Sequence, residues 1–234
     1  MTLQRIACLL LVAWVQPASA QPLVALVEDI KGQVAGLEIM DYVATGRTFE
    51  LAPDDTVVVD YLSSCIRETI HGGVVKIGVE KSEVASGTIE RAKVNCDAGK
   101  MMATSGQQVD NAGYIFRSWR ATNERALSVA RAAPPQFTLY GSSPLVELNG
   151  SGRLIVARLD KKGEYFDLMI DQEKLSRRRF LDFAASSMSL TAGGVYGARW
   201  DNRLVVFRID PTASSGHSPI IGRLLRLGFA PESR

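Results

Sequence analysis

The side chains that could do chemistry are few and scattered. Cys65 lies in Ser63-Ser64-Cys65-Ile66-Arg67, and a cysteine is a nucleophile only as a thiolate with a base in reach. The chain has two histidines, His71 and His217. A general base also needs a nucleophile and an orienting carboxylate, and no motif around either histidine supplies them. Asp54, Asp55 and Asp60 offer carboxylates, but their spacing is not that of a calcium loop. No Cys/His zinc spacing, phosphate loop or nucleophile elbow occurs, so neither a metal nor a cofactor is expected. Arg177-Arg178-Arg179 is the one basic cluster.

The compartment decides what Cys65 does. The N-terminus has a short segment ending in Arg5, the apolar run Ile6–Val15, and then Pro17-Ala18-Ser19-Ala20. This is the layout of a cleavable secretory signal over residues 1–20, with cleavage expected after Ala20. The apolar run is too short to span a membrane, and Cys8 lies too near its start to be a lipidation site. Two of the three cysteines then remain, Cys65 and Cys96. An even pair in an oxidising compartment forms a bridge. Closing a loop of about thirty residues stabilises a fold by about 3–4 kcal/mol. Cys65 is therefore expected to be a staple.

Charge and hydropathy narrow the partners. The formal net charge is +2, falling to +1 when Arg5 leaves with the signal, so no nucleic-acid partner is expected. No later run of about 18 apolar residues occurs, so no transmembrane segment is expected in the mature chain. With 46% apolar residues in 234, the chain can fill one large core or two small ones.

The elements that must position these residues are strands. Leu23–Val27, Thr48–Leu51, Thr56–Leu62, Cys65–Ile70, Val74–Val79, Ser82–Ala85 and Thr88–Val94 are short β-branched or alternating runs. Residues 33–35 and 38–42 are further broken candidates. Pro53-Asp54-Asp55 and His71-Gly72-Gly73 have turn chemistry. After a Gly/Ser/Asn-rich stretch and the apolar Tyr114–Trp119 run, residues 120–135 read as a linker with helix-forming composition, stopped by Pro134-Pro135. A second set follows: Phe137–Tyr140, Leu145–Leu148, Leu154–Leu159, Tyr165–Ile170, Met188–Leu190, Val195–Trp200 and Leu204–Ile209. Seven short strands with turns every 8–12 residues predict an Ig-like β-sandwich over 136–210. Residues 211–234 form a tail whose Ile220–Leu227 stretch is apolar enough to dock.

Two resemblances add to this reading. A Gly-x-Val near the start, Gly46 with its turn, the Leu51…Asp55…Val57 run and the Gly72-Gly73 turn resemble the FecR-like periplasmic domain over about Val24–Val94. That resemblance implies a non-catalytic envelope module of β-hairpins, a small barrel or sandwich occupying 21–119. The Ser64-Cys65-Ile66-Arg67 segment resembles the nucleophile segment of L,D-transpeptidases, which implies a wall-modifying cysteine enzyme. It departs from that family in having Ser64 where a glycine stands and in placing both histidines downstream.

The expectation is a mainly β protein of two small antiparallel β-domains, exported to the periplasm and not an enzyme. It binds or scaffolds an envelope protein or a cell-wall polymer. Contacts are expected at Arg177, Arg178, Arg179 and His71. The alternatives are the cysteine enzyme and a periplasmic sensor subunit for envelope signalling.

Overall fold

A computed structural model describes residues 21–97, 134–201, 203–217 and 219–227. The expected signal segment, most of the linker, the Tyr114–Trp119 run and the last residues of the tail lie outside the described residues. The described chain is mainly β, with two single 3-10 turns and no α-helix among the described residues.

The first assembly is one six-stranded sheet. Its strands are β1 (Leu23–Lys31), β2 (Tyr42–Ala44), β3 (Thr48–Tyr61), β4 (Ile66–Ile77), β5 (Ser82–Ala85) and β6 (Thr88–Lys93). They pair antiparallel in the order β2-β1-β3-β4-β5, and β6 also pairs with β4. Alternation along β3 sends Phe49, Leu51, Val57, Val59 and Tyr61 to one face. That face curls around a core shared with Val27, Leu37, Ile70, Val75 and Ile77. The opposite face carries Leu26, Asp60 and Arg67 in register across β1, β3 and β4.

Both expected turns, at Pro53–Asp55 and His71–Gly73, lie inside long strands. Leu51 pairs with Gly73 and Thr56 pairs with His71, so residues 52–55 bulge opposite Gly72 alone. A bulge absorbs Pro53, because its missing N–H is not needed in the ladder. Gly72 and Gly73 take φ of 60° and 85°, which bends the sheet there instead of ending the strand. The β5–β6 turn crosses this corner closely. A Cβ at Gly73 would lie 2.4 Å from the Ala85 carbonyl oxygen.

The curled sheet is pinned by a buried acid. Glu68, fully buried on β4, accepts the Ser82 backbone N–H at 3.0 Å and Arg91 Nε at 2.7 Å. Tyr61 and Ser82 hydroxyls bond at 2.8 Å beside it. Burial pushes the Tyr61 phenol up to about 12. Cys65 and Cys96 form the expected disulfide, with Cα atoms 5.8 Å apart, joining the β3–β4 turn to the end of this assembly.

The second assembly has two packed sheets. Its strands are β7 (Phe137–Gly141), β8 (Leu145–Glu147), β9 (Gly152–Arg158), β10 (Tyr165–Ile170), β11 (Phe180–Asp182), β12 (Val195–Trp200), β13 (Arg203–Ser214) and β14 (Leu224–Arg226). One sheet has the order β10-β9-β12-β13-β7 and the other β11-β8-β14. Their facing sides bury Leu139, Val146, Leu181, Tyr196, Trp200 and Phe207 in one core. The pairings are antiparallel except β13 with β7 and β14 with β8, which run parallel. Met188–Leu190, expected as a strand, is not one, and β11 was not anticipated, whereas the Ile220–Leu227 stretch docks as expected and supplies β14.

A third core joins the assemblies. Leu26 and Leu62 of the first meet Leu145 and Phe180 of the second and Ile220, Ile221 and Leu224 of the C-terminal segment. A Cβ on Gly222 would stand 2.8 Å from the Asn95 carbonyl oxygen, so the segment passes directly against the first assembly.

Gly73→Ala places a methyl group against backbone at a left-handed φ, and it is expected to destabilise the fold by about 2 kcal/mol or more. Urea denaturation checks this. An unchanged midpoint would mean the corner is not fixed by the β5–β6 crossing.

Candidate functional site

The loop of residues 32–41, between β1 and β2, sits where the two assemblies meet. Its backbone is held by Val27 N–H to the Asp41 carbonyl at 2.9 Å and Met40 N–H to the Val27 carbonyl at 2.8 Å. Three surface cavities border it. One, of about 400 Å³, is lined by Met40, Asp41, Tyr42 and the Arg177–Arg179 turn. A second, of about 710 Å³, lies under Val34, Leu37 and Ile39 and reaches Arg177. The third, also about 400 Å³, runs from Glu28, Met40 and Arg67 to Asp182, His217 and Arg223. Ile39 stands at 43% exposure beside this region.

The seam behind the loop is built from buried charge. Glu147 on β8 is fully buried, and it accepts the Tyr42 hydroxyl at 2.8 Å and Arg226 Nε at 2.6 Å. Arg179 lies 3.6 Å from its other oxygen. The Arg226 and Arg179 guanidinium carbons lie over the Tyr42 ring at 5.3 and 5.8 Å. Burial and the Glu147 carboxylate hold the Tyr42 phenol far above its ordinary value. One carboxylate thus ties β2, the Arg177–Arg179 turn and β14 together.

The basic cluster divides its labour. Arg177 pairs with Glu38 and, at 2.5 Å, with Asp41 across the seam. Burial raises the Asp41 carboxyl, with Arg47 and Arg179 pulling the other way. Arg177 and Arg178 both have left-handed φ, 55° and 54°, in the tight turn that ends on Phe180. Arg178 is exposed and makes no ion pair with a described residue.

Two more acids line or underlie the third cavity. Asp182 on β11 takes Arg223 in two bonds, at 2.7 and 3.2 Å, with His217 Nδ1 at 3.3 Å. Burial works to raise Asp182, but the Arg223 bonds and charge outweigh it and hold the carboxyl below its ordinary value. Asp60, fully buried, faces Arg67 Nε at 3.2 Å and the Ile221 N–H at 3.4 Å. Arg67 also binds Glu28. Burial pushes the Asp60 carboxyl up to about 7, with the Ile221 N–H bond offsetting only part of the rise.

Of the residues singled out by type, the structure brings the three arginines, Asp60 and His217 to this seam and leaves His71, Cys65, Asp54 and Asp55 apart. His71 lies on β4 with Nδ1 2.9 Å from the Thr56 hydroxyl, on the opposite strand alternation from Glu68. Cys65 is buried and bonded to Cys96. Asp55 braces the bulge by accepting the Ala52 N–H at 3.2 Å. Glu147 and Asp182 were missed, whereas Arg223 and Arg226 belong to the Ile220–Leu227 stretch expected to dock. Their one sequence signal is charge within apolar runs, Val-Glu-Leu and Leu-Leu-Arg-Leu. No group of three or more His, Cys, Asp or Glu among the described residues is placed to hold a metal ion. The arrangement can therefore hold polar or anionic groups against the free Arg178 and apolar groups against Ile39.

Comparisons of the chain with protein-family models, with curated proteins and with solved structures found no match.

Glu147→Ala leaves Arg226 and the Tyr42 hydroxyl without their acceptor, and it is expected to cost about 3 kcal/mol. Glu147→Leu combined with Arg226→Leu is expected to recover most of that loss. Chemical denaturation of the single and double variants decides the matter: a single variant within about 0.5 kcal/mol of wild type would remove Glu147 from the seam's support.

Proposed function

We propose that this chain is an exported, non-catalytic binding or scaffolding module of the periplasm that contacts an envelope protein or a cell-wall polymer through the face around residues 32–41. On this reading the first assembly is a FecR-like module and the second an Ig-like sandwich. The signal-like N-terminus, the Cys65–Cys96 bridge and the FecR-like resemblance of the first half support export and a non-enzymatic role.

The observation that carries the reading is convergence. Three cavities border one loop, which a buried ionic seam supports from behind. Exposed Ile39 and exposed Arg178, which makes no ion pair with a described residue, border the same loop. Rigid backing with an apolar anchor and a free guanidinium beside it is what partner recognition needs. A catalytic Cys65 would have to be released from Cys96 and brought to a base, and His71 is turned to Thr56 instead.

The test is direct. Purified mature protein is sedimented with purified peptidoglycan sacculi, and a photo-crosslinker at position 39 is used on envelope extract. Ile39→Ser with Arg178→Glu is expected to weaken retention at least about tenfold, roughly 1.4 kcal/mol. Val79→Ser, at an exposed apolar residue outside the cavity linings, is expected to leave it unchanged. Retention that survives the double variant moves the contact elsewhere, and no retention of either material ends the proposal.

A further inference from the structure

The C-terminal segment 219–227 joins the two assemblies, and a fully buried carboxylate lies beneath it. Ile220, Ile221 and Leu224 fill the third core, and β14 pairs with β8 from Leu224 to Arg226. Under Ile221 sits Asp60, whose oxygens meet one long backbone N–H contact at 3.4 Å and Arg67 Nε at 3.2 Å. Arg67 is also bonded to Glu28. Among the described residues one guanidinium therefore serves two carboxylates, and the triad carries a charge of −1 when Asp60 is ionised. A net charge under an apolar segment opposes docking of that segment.

The other charged groups facing this place do not cancel it. On the segment itself and on β11, Arg223 is committed to Asp182 in two bonds, with His217 on the same carboxylate. Asp29 at the cavity rim adds negative charge. Arg226 is committed to Glu147. Protonating Asp60 leaves a neutral Glu28–Arg67 pair and removes the excess charge.

We propose that Asp60 makes the C-terminal segment a pH-responsive clasp, which docks between the two assemblies more tightly as the pH falls and loosens as it rises. The sign follows from linkage. The docked Asp60 carboxyl titrates at about 7, whereas a carboxyl released to water titrates near about 3.9. The docked state thus binds the additional proton, and docking strength falls as the pH rises from about 4 to about 7, with no further loss above it. Asp182, held low by Arg223, titrates below this window and does not contribute within it.

Hydrogen exchange of the full mature protein reads the clasp. After correction for intrinsic rates, opening of 219–227 is expected to increase by up to about tenfold per pH unit between about pH 4 and about pH 7 and to level off above it. Asp60→Asn is expected to abolish this dependence, and His217→Asn to retain it. A carbon-13 titration of the Asp60 side-chain carboxyl in wild-type protein gives a second reading that needs no variant. A midpoint below about pH 5, or the same exchange profile in wild type and Asp60→Asn, would overturn the proposal.

Discussion

The burial of Glu147 is the constraint from which the rest of the arrangement follows. A carboxylate in a dry interior is tolerated only with charge and hydrogen bonds around it, and its partners come from separate parts of the chain. Tyr42 belongs to the first sheet, Arg179 to the turn before β11, and Arg226 to the last strand. None of these elements can leave without stranding a charge. The apolar third core supplies the burial, but it would accept many sliding arrangements of Leu26, Phe180 and Ile221. The buried acid specifies one. Asp182 with Arg223 repeats the device a short distance away and fixes the C-terminal segment against β11.

The first assembly shows how a sheet with few strands makes both a core and a docking face. Curling lets one side of β3 and β4 bury Val57, Val59, Ile70 and Val75 against β1 and the loop, while the reverse side remains available to the second assembly. The corner depends on conformations that only glycine adopts cheaply, at Gly72 and Gly73, and on a bulge that gives Pro53 a place without a lost ladder bond. Glu68 then fixes the β5–β6 hairpin across the corner. The Cys65–Cys96 bridge closes the opposite end, so both ends of β4 are held.

Much of the strand content was legible because period-two alternation is written into runs such as Thr56–Leu62 and Val195–Trp200. The bridge was legible too, since the two cysteines outside the signal-like start, Cys65 and Cys96, have one pairing. The turn readings at Pro53–Asp55 and His71–Gly73 went astray for one shared reason. Pro, Asp and Gly report local φ and hydrogen-bond needs, and a bulge has the same needs as a turn. β11 was hidden because a three-residue strand carries no period, and for β14 only the docking was legible, since its partner, β8, lies almost eighty residues earlier.

The seam was the least legible part, and its chemistry explains why. Glu147, Asp60 and Arg223 look from sequence like isolated charges, and an isolated charge is ordinarily solvated. What makes them informative is pairing across long separations: Tyr42 with Glu147, Asp60 with Ile221, Asp182 with Arg223. The Arg177–Arg179 run announced itself as a cluster, and two of its three charges pair across the seam. That division matters for function. A basic run with every charge free would attract anions without discrimination, whereas here Arg177 and Arg179 are held in ion pairs and Arg178 is the one presented. The seam thus sets both the stability of the join and which of the three arginines the candidate face presents.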